Sequence, residues 1–153
     1  MFVSLSELLG DMVGVPYIYK GRDPKNGIDC YGLVIEAARR LGYQSPDYDD
    51  PIFISQIAGK NKEAGDAAAE YKVFPTEIVF DDYFTKIENP EPGCLVLLCV
   101  IPPYVTHIGV VLDDCNQFIH SASKNKNVCI ERLNAISWRH RIKGFYKWTK
   151  KLD

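Results

Sequence analysis

The stretch that decides the fold reads "GIDCYGLVIEAARRLG", Gly27 to Gly42. Asp29 is a helix N-cap residue, and Arg39 and Arg40 fall where basic side chains complement the negative end of a helix dipole. Gly42 follows as a C-terminal stop, so the spacing predicts a helix over 30–41. Cys30, Val34, Ala37 and Leu41 lie in helical phase as one apolar stripe, which turns the Cys30 sulfur toward the body of the protein. A thiol on a first turn also meets free N–H groups and the positive end of the dipole, both of which favour an anion. Its pKa is expected to be depressed, and among the five cysteines it should alkylate first, because the thiolate is the nucleophile. The same position suits a small apolar filler at a helix start. Helix geometry by itself leaves both readings open.

Upstream, Ser4 and Glu7 form a capping box, and Leu5, Leu8, Leu9 and Met12 recur at helical spacing, so a first helix is expected over 5–12. "GVPYIYKGRDPKNG" then reads as a loop with a short extended piece at Tyr17 to Tyr19. Downstream, the signals weaken from Tyr43 to Pro92. "SPDYDDP" is an acidic loop, "KNKEAGDAAAEY" is mildly helical, and "DDYFTKIENPEPG" leads through a turn into a strand. After Gly93 the pattern becomes short and β-rich: Cys94 to Ile101, Val105 to Leu112, Gln117 to Ala122, Val128 to Arg132 and Gly144 to Trp148. Helices followed by an antiparallel meander give the α+β class. No boundary is visible, so residues 1–153 are expected to form a single domain.

A nucleophilic cysteine needs a base, and the chain has three histidines. His107 in "VTHIGVVLDD" and His120 in "QFIHSAS" lie on consecutive strands. Whether the intervening turn uses two residues or four, Leu112 faces Gln117 and Gly109 faces His120. His107 and His120 then project from one face as diagonal neighbours, roughly 7 Å apart at the backbone and within side-chain reach. Either histidine alone also fits a satisfied polar residue in a sheet. Two on one face, beside a glycine without a side chain, suit a base and its orienting partner. His140, flanked by arginines in "WRHRIK", reads as exposed surface.

Composition excludes several classes of function. The chain is 46% hydrophobic and 25% charged with a net charge of −2, which gives nucleic acid or anionic lipid no reason to bind. Its first residues lack a basic segment and carry Glu7 and Asp11, so no signal peptide is expected. The longest apolar run, Cys94 to Ile101, is too short to cross a bilayer, so no membrane insertion is expected. With no export signal the cysteines are expected to be reduced. Cys94 and Cys99 would point to opposite faces of one strand, Cys115 sits in a turn, and no C-x-x-C occurs, so no metal site is expected. Asp47, Asp49 and Asp50 read first as a solvated acidic loop, and alternatively as ligands for a cation or a surface for a substrate amine.

"GVPYIYKGRDPKNGIDCYGLV", then "PGCLVLL", "THIGVVLDD" and "FIHSAS", resembles the NlpC-type cell-wall cysteine endopeptidases, in the right order from Gly14 to Ala122. Residues 43–92 form a divergent middle. The resemblance implies a papain-like α+β fold, with the nucleophile helix packed on a five- or six-stranded antiparallel sheet. It implies Cys30 as nucleophile, His107 as base and His120 as the polar residue that orients the base. Tyr17 would frame the oxyanion site, with Asp29 and Tyr31 beside the substrate and no cofactor. The activity implied is hydrolysis of peptidoglycan stem peptides, usually between D-γ-glutamyl and a diamino acid. The sequence departs from the family at Tyr31, where serine is usual, at Tyr19–Lys20–Gly21, where an aromatic and two glycines are usual, and at Cys94, where aspartate is commoner. A "DCYG" version is similar to bacteriophage tail proteins. That similarity implies synthesis in the bacterial cytoplasm, assembly with other tail proteins into a virion, and action at the cell wall.

Overall fold

Asp29 caps the predicted helix. In the computed structural model its extended backbone (φ −97) lets Oδ1 accept the Gly32 N–H at 2.8 Å. The helix, α2, runs Cys30–Leu41 and stops at Gly42, whose left-handed backbone (φ 87) turns the chain so that the Tyr43 N–H reaches the Ala38 carbonyl at 2.8 Å. The structure describes residues 3–47, 83–99 and 107–153. The mildly helical stretch 60–71, Asp49 and Asp50, and the strand ends expected at Ile101 and Val105 lie outside them.

The first helix is shorter than expected: α1 spans Leu5–Leu9, and Gly10–Met12 tightens into a 3₁₀ turn. Gly10 weakens the α-helix at that point, and the Val13 N–H bonds the Gly10 carbonyl at 3.1 Å. Leu5, Leu9 and Met12 still bury one face, and Arg40 of α2 holds the turn through Asp11 and the Leu8 carbonyl. The expected extended piece at Tyr17 to Tyr19 is no strand. Pro16 instead bridges Asn127, and the two-residue strands β1 (Arg22–Asp23) and β2 (Gly27–Ile28) form a small hairpin whose turn is held by Asp23.

Six further strands make one antiparallel sheet: β3 (Phe84–Ile87), β4 (Leu95–Leu98), β5 (His107–Val111), β6 (Gln117–Ser121), β7 (Val128–Arg132) and β8 (Ile142–Trp148). Their order is β3-β8-β4-β5-β6-β7, so the meander holds only from β4 to β7. The chain then returns across the sheet, and β8 slots between β4 and β3. Strand β3 lies in the stretch expected only to lead through a turn into the next strand; Phe84 alone in it is fully buried, and it gains its identity from pairing with β8. Val110 pairs with Ile119 and Val111 with Phe118, which is the register the parity argument requires.

The two faces of the sheet are covered differently. Leu95, Leu97, Ile108, Val110 and Ile119 pack against α2 and α1. Val96, Leu98, Val111 and Phe118 pack under Leu133 and Trp138 from the β7–β8 connection. Among the described residues no helix is long and apolar enough to cross a membrane.

Candidate active site

The loop before α2 is laced to the sheet on both sides. Gly14 and Val15 pair with Val128, the Tyr17 N–H bonds the Lys126 carbonyl at 2.9 Å, and the Ile28 N–H bonds the Pro16 carbonyl at 3.0 Å. Ser121, next to His120, donates its buried hydroxyl to the Ile28 carbonyl at 2.7 Å. The chain two residues before Cys30 is therefore fixed to the strand that carries His120.

Glycine makes the approach possible. A side chain at Gly32 would lie 2.4 Å from the Gly21 carbonyl oxygen, so only glycine lets the loop press onto the first turn of α2. Lys20, where the resembled family usually has glycine, still adopts a left-handed backbone (φ 61). Its N–H bonds Asp29 Oδ2 at 3.1 Å, which helps hold a conformation that costs a non-glycine residue roughly 1 kcal/mol.

Cys30 is buried, 8% exposed, in the core between α2 and the sheet. Pairing of β5 with β6 stops at Val110, and the Ile108 amide lies near enough to the Cys30 sulfur to favour its charged form weakly. The sulfur therefore lies on the α2 side of β5 beside Ile108, while the ring of the neighbouring His107 projects from the other face, and among the described residues no hydrogen bond joins the two. Burial, then the negative charge of Asp29, push this thiol up to about 12; the N–H groups of Ile108 and Tyr31 and the charge of Arg22 pull only weakly the other way. The expected depressed pKa is thus reversed. The cap opposes the helix terminus here, because Asp29 is a buried carboxylate beside the sulfur and already uses the first-turn N–H of Gly32.

Asp29 is not placed to bind substrate. Its Oδ1 accepts from Gly32 and from Arg22 at 2.7 Å, and its Oδ2 from Lys20, so it works as a buried strut. Arg22 continues to Asp47 at 2.8 Å, which ties the acidic segment to this network. Tyr31, also expected at the substrate, is 4% exposed and packs in the core, because the first turn of α2 is covered on more than one side. Tyr17 is half-buried at the loop.

His107 and His120 meet on the face opposite α2, with Nε2 of the first 2.7 Å from Nδ1 of the second. Trp138 stacks on His107 at 5.7 Å between centroids and meets His120 edge-on at 5.2 Å, which seals both rings from solvent. Burial, reinforced by the neighbouring His120, lowers the His107 pKa to about 3. Thiol and imidazole are both neutral at rest. His140 is exposed, as expected.

The burial of His107 has a consequence for stability. In the unfolded chain this residue takes a proton near pH 6.5, and in the fold only near 3. The folded state is favoured fully above the higher value and loses that advantage as pH falls toward the lower one. At about 1.4 kcal/mol per unit the loss reaches several kcal/mol. Chemical denaturation between about pH 7 and pH 4 should show this slope, and His107→Gln should flatten it.

Sequence reasoning missed Arg22, Ser121, Glu131 and Trp138. Glu131 Oε2 lies 2.5 Å from His120 Nε2 and accepts the Trp138 Nε1–H at 2.9 Å. A signal for it existed. Applying parity to the β6–β7 hairpin, where Ser121 pairs with Val128, puts Cys129 and Glu131 on the face of His120. His120, Cys129 and Glu131 bring three ligand-capable atoms within 4.8 Å of one another, so this is where a metal ion could be held among the described residues. A metal there would have to displace the bond between His120 and Glu131.

Fold and site together define a papain-like α+β domain with a buried cysteine at a helix start and paired histidines on the adjoining sheet. The chain belongs to the NlpC/P60 family, which it matches over residues 14–147. It is similar to the gamma-DL-glutamyl hydrolase of Bacillus subtilis (strain 168), 24% identical over 137 residues. The match takes in 89% of this chain and 27% of that protein, so the chain spans about a quarter of its relative's length. NlpC2 from Trichomonas vaginalis superposes with a TM-score of 0.63 at 20% identity, covering 95% of this chain and 45% of that one. The NlpC/p60 domain of the peptidoglycan hydrolase SagA gives 0.50 at 14% identity, with 92% of each chain covered. Both structural likenesses show the fold.

Proposed function

We propose that the protein is a cysteine endopeptidase that hydrolyses peptidoglycan stem peptides between D-γ-glutamyl and a diamino acid. The observation that carries this reading is Cys30 at the start of α2, packed against the strand that bears His107, whose ring is hydrogen-bonded to His120. The γ-glutamyl bond is favoured by the likeness to a gamma-DL-glutamyl hydrolase.

The reaction starts from the neutral pair. His107 takes the thiol proton as the sulfur attacks the scissile carbonyl, so the thiolate forms only in company with the imidazolium. Backbone N–H groups at the start of α2, with Tyr17, stabilise the oxyanion. The imidazolium gives its proton to the leaving amine, and water then hydrolyses the thioacyl enzyme with His107 again as base. A buried thiol that stays protonated until substrate arrives is protected from adventitious oxidation.

The same reading sets the protein in a bacteriophage tail, among other tail proteins. That part rests on the "DCYG" resemblance, and antibody labelling of purified virions tests it. The catalytic part is tested by incubating purified protein with peptidoglycan and reading the released fragments by mass spectrometry. New diamino-acid amino termini are expected. A catalytically silent assembly protein would release nothing, and an acyltransferase would add mass to an acceptor without releasing free acid.

A further inference from the structure

His120 pairs with Cys129 across the β6–β7 ladder, and Glu131 follows two residues on, on the same face. Three different ligand types therefore converge from two adjacent strands. Their atoms, His120 Nε2, Cys129 Sγ and Glu131 Oε2, lie within 4.8 Å of one another. Sγ is 3.5 Å from Nε2 and 3.9 Å from Oε2, and Nε2 is 2.5 Å from Oε2. Ligand atoms around a tetrahedral zinc ion sit roughly 3.3–3.6 Å apart, given bonds of about 2.0–2.3 Å. Both edges to sulfur already come close to that figure. Only the contact between His120 and Glu131 must open, by about 1 Å or less.

We propose that His120 Nε2, Cys129 Sγ and Glu131 Oε2 form a zinc site that staples β6 to β7, the last strand in the sheet order. The donor set selects the metal: thiolate and imidazole suit zinc, whereas magnesium and calcium prefer oxygen alone. Charge closes as well, since a thiolate and a carboxylate offset the two positive charges of the ion. At rest, burial and then the Glu131 charge hold the Cys129 thiol above its ordinary range, and the ion supplies the opposite charge. On binding, the thiol hydrogen and any on Nε2 pass to solvent.

The surroundings hold these ligands in place. His120 is fully buried, with its ring against Phe118 and Trp138 and its Nδ1 2.7 Å from His107 Nε2. A metal-bound imidazole is ordinarily oriented by a hydrogen bond at its other nitrogen, and His107 provides one. Trp138 Nε1–H donates to Glu131 Oε2 at 2.9 Å, which fixes the carboxylate. Asn125 Nδ2 lies 2.9 Å from Cys129 Sγ and 3.3 Å from Glu131 Oε2, so turning its amide brings an oxygen toward the fourth position. Cys129 and Glu131 are half-buried, which leaves the ion a way in. No C-x-x-C marks such a site, because its ligands alternate along one strand and come from two.

The test is calorimetric titration of zinc into metal-free, reduced protein, repeated with Cys129→Ser and Glu131→Gln. One equivalent should bind. Cys129→Ser should weaken binding by about a hundredfold or more, and Glu131→Gln by about tenfold or more. Cobalt in place of zinc should give a thiolate-to-cobalt absorption band in the wild type and none in Cys129→Ser. Zinc should also protect Cys129 from iodoacetamide while leaving the half-buried Cys115 reactive. That arm uses the wild type alone, so it decides even where a variant fails to fold. Zinc that does not bind at micromolar concentration, that binds Cys129→Ser equally well, or that leaves Cys129 open to alkylation would overturn the proposal. No arm reads hydrolysis, so an inactive wild type would sink the functional reading alone.

Discussion

Cys30→Ala should lower kcat/KM on a γ-glutamyl peptide by on the order of ten-thousandfold or more, with the fold intact. The loss is large because, of the five cysteines, Cys30 is the one at a helix start, where backbone N–H groups can meet the oxyanion. The structural cost is small by comparison. Losing one buried sulfur between α2 and Ile108 leaves a cavity worth about 1 kcal/mol, which circular dichroism and a melting curve would register as a modest shift. Cys30→Ser should be nearly as inactive, because a hydroxyl buried beside Asp29 is a still weaker acid than the thiol it replaces. Iodoacetamide should find the half-exposed Cys115 before the buried, protonated Cys30, reversing the order that helix position alone implies.

The histidines should separate in magnitude. His107→Ala removes the group that both takes and returns the proton, and it should cost on the order of a thousandfold or more in kcat. His120→Ala removes only the acceptor that orients it, so a measurable remainder of roughly a few per cent should survive. His120→Asn or His120→Gln should be milder than alanine, because either amide can still hydrogen-bond His107 Nε2. Kinetics on all four variants under one set of conditions check the order. Retention of most activity by His107→Ala would send the search for the base elsewhere.

What the sequence made legible followed from local rules. The helix over 30–41 needed only its cap, its stripe and its stop, and the pairing of the two histidines needed only the period of a strand and the parity of a turn. What it hid was of two kinds. The place of β8 between β3 and β4 is set by which edges the sheet leaves to be covered, and no stretch near residue 142 encodes that. The electrostatics of Cys30 were hidden because Asp29 was read as a cap and not also as a buried charge. Burial and that charge together outweigh the two N–H bonds and Arg22. Glu131 lay within reach of the same parity argument that paired the histidines, carried one hairpin further. Trp138 did not: it arrives from the turn between β7 and β8, and its contact with both rings depends on tertiary packing.

The central claim is that Cys30 attacks a γ-glutamyl carbonyl. The most direct measurement uses a γ-D-glutamyl chloromethyl ketone, a reagent that presents the substrate's acyl group and traps the attacking side chain. Peptide mapping after brief exposure should find one adduct, on Cys30, formed in step with loss of hydrolysis and slowed by added stem peptide. Inactivation accompanied by adducts on Cys115 or Cys129, with Cys30 unmodified, would contradict it.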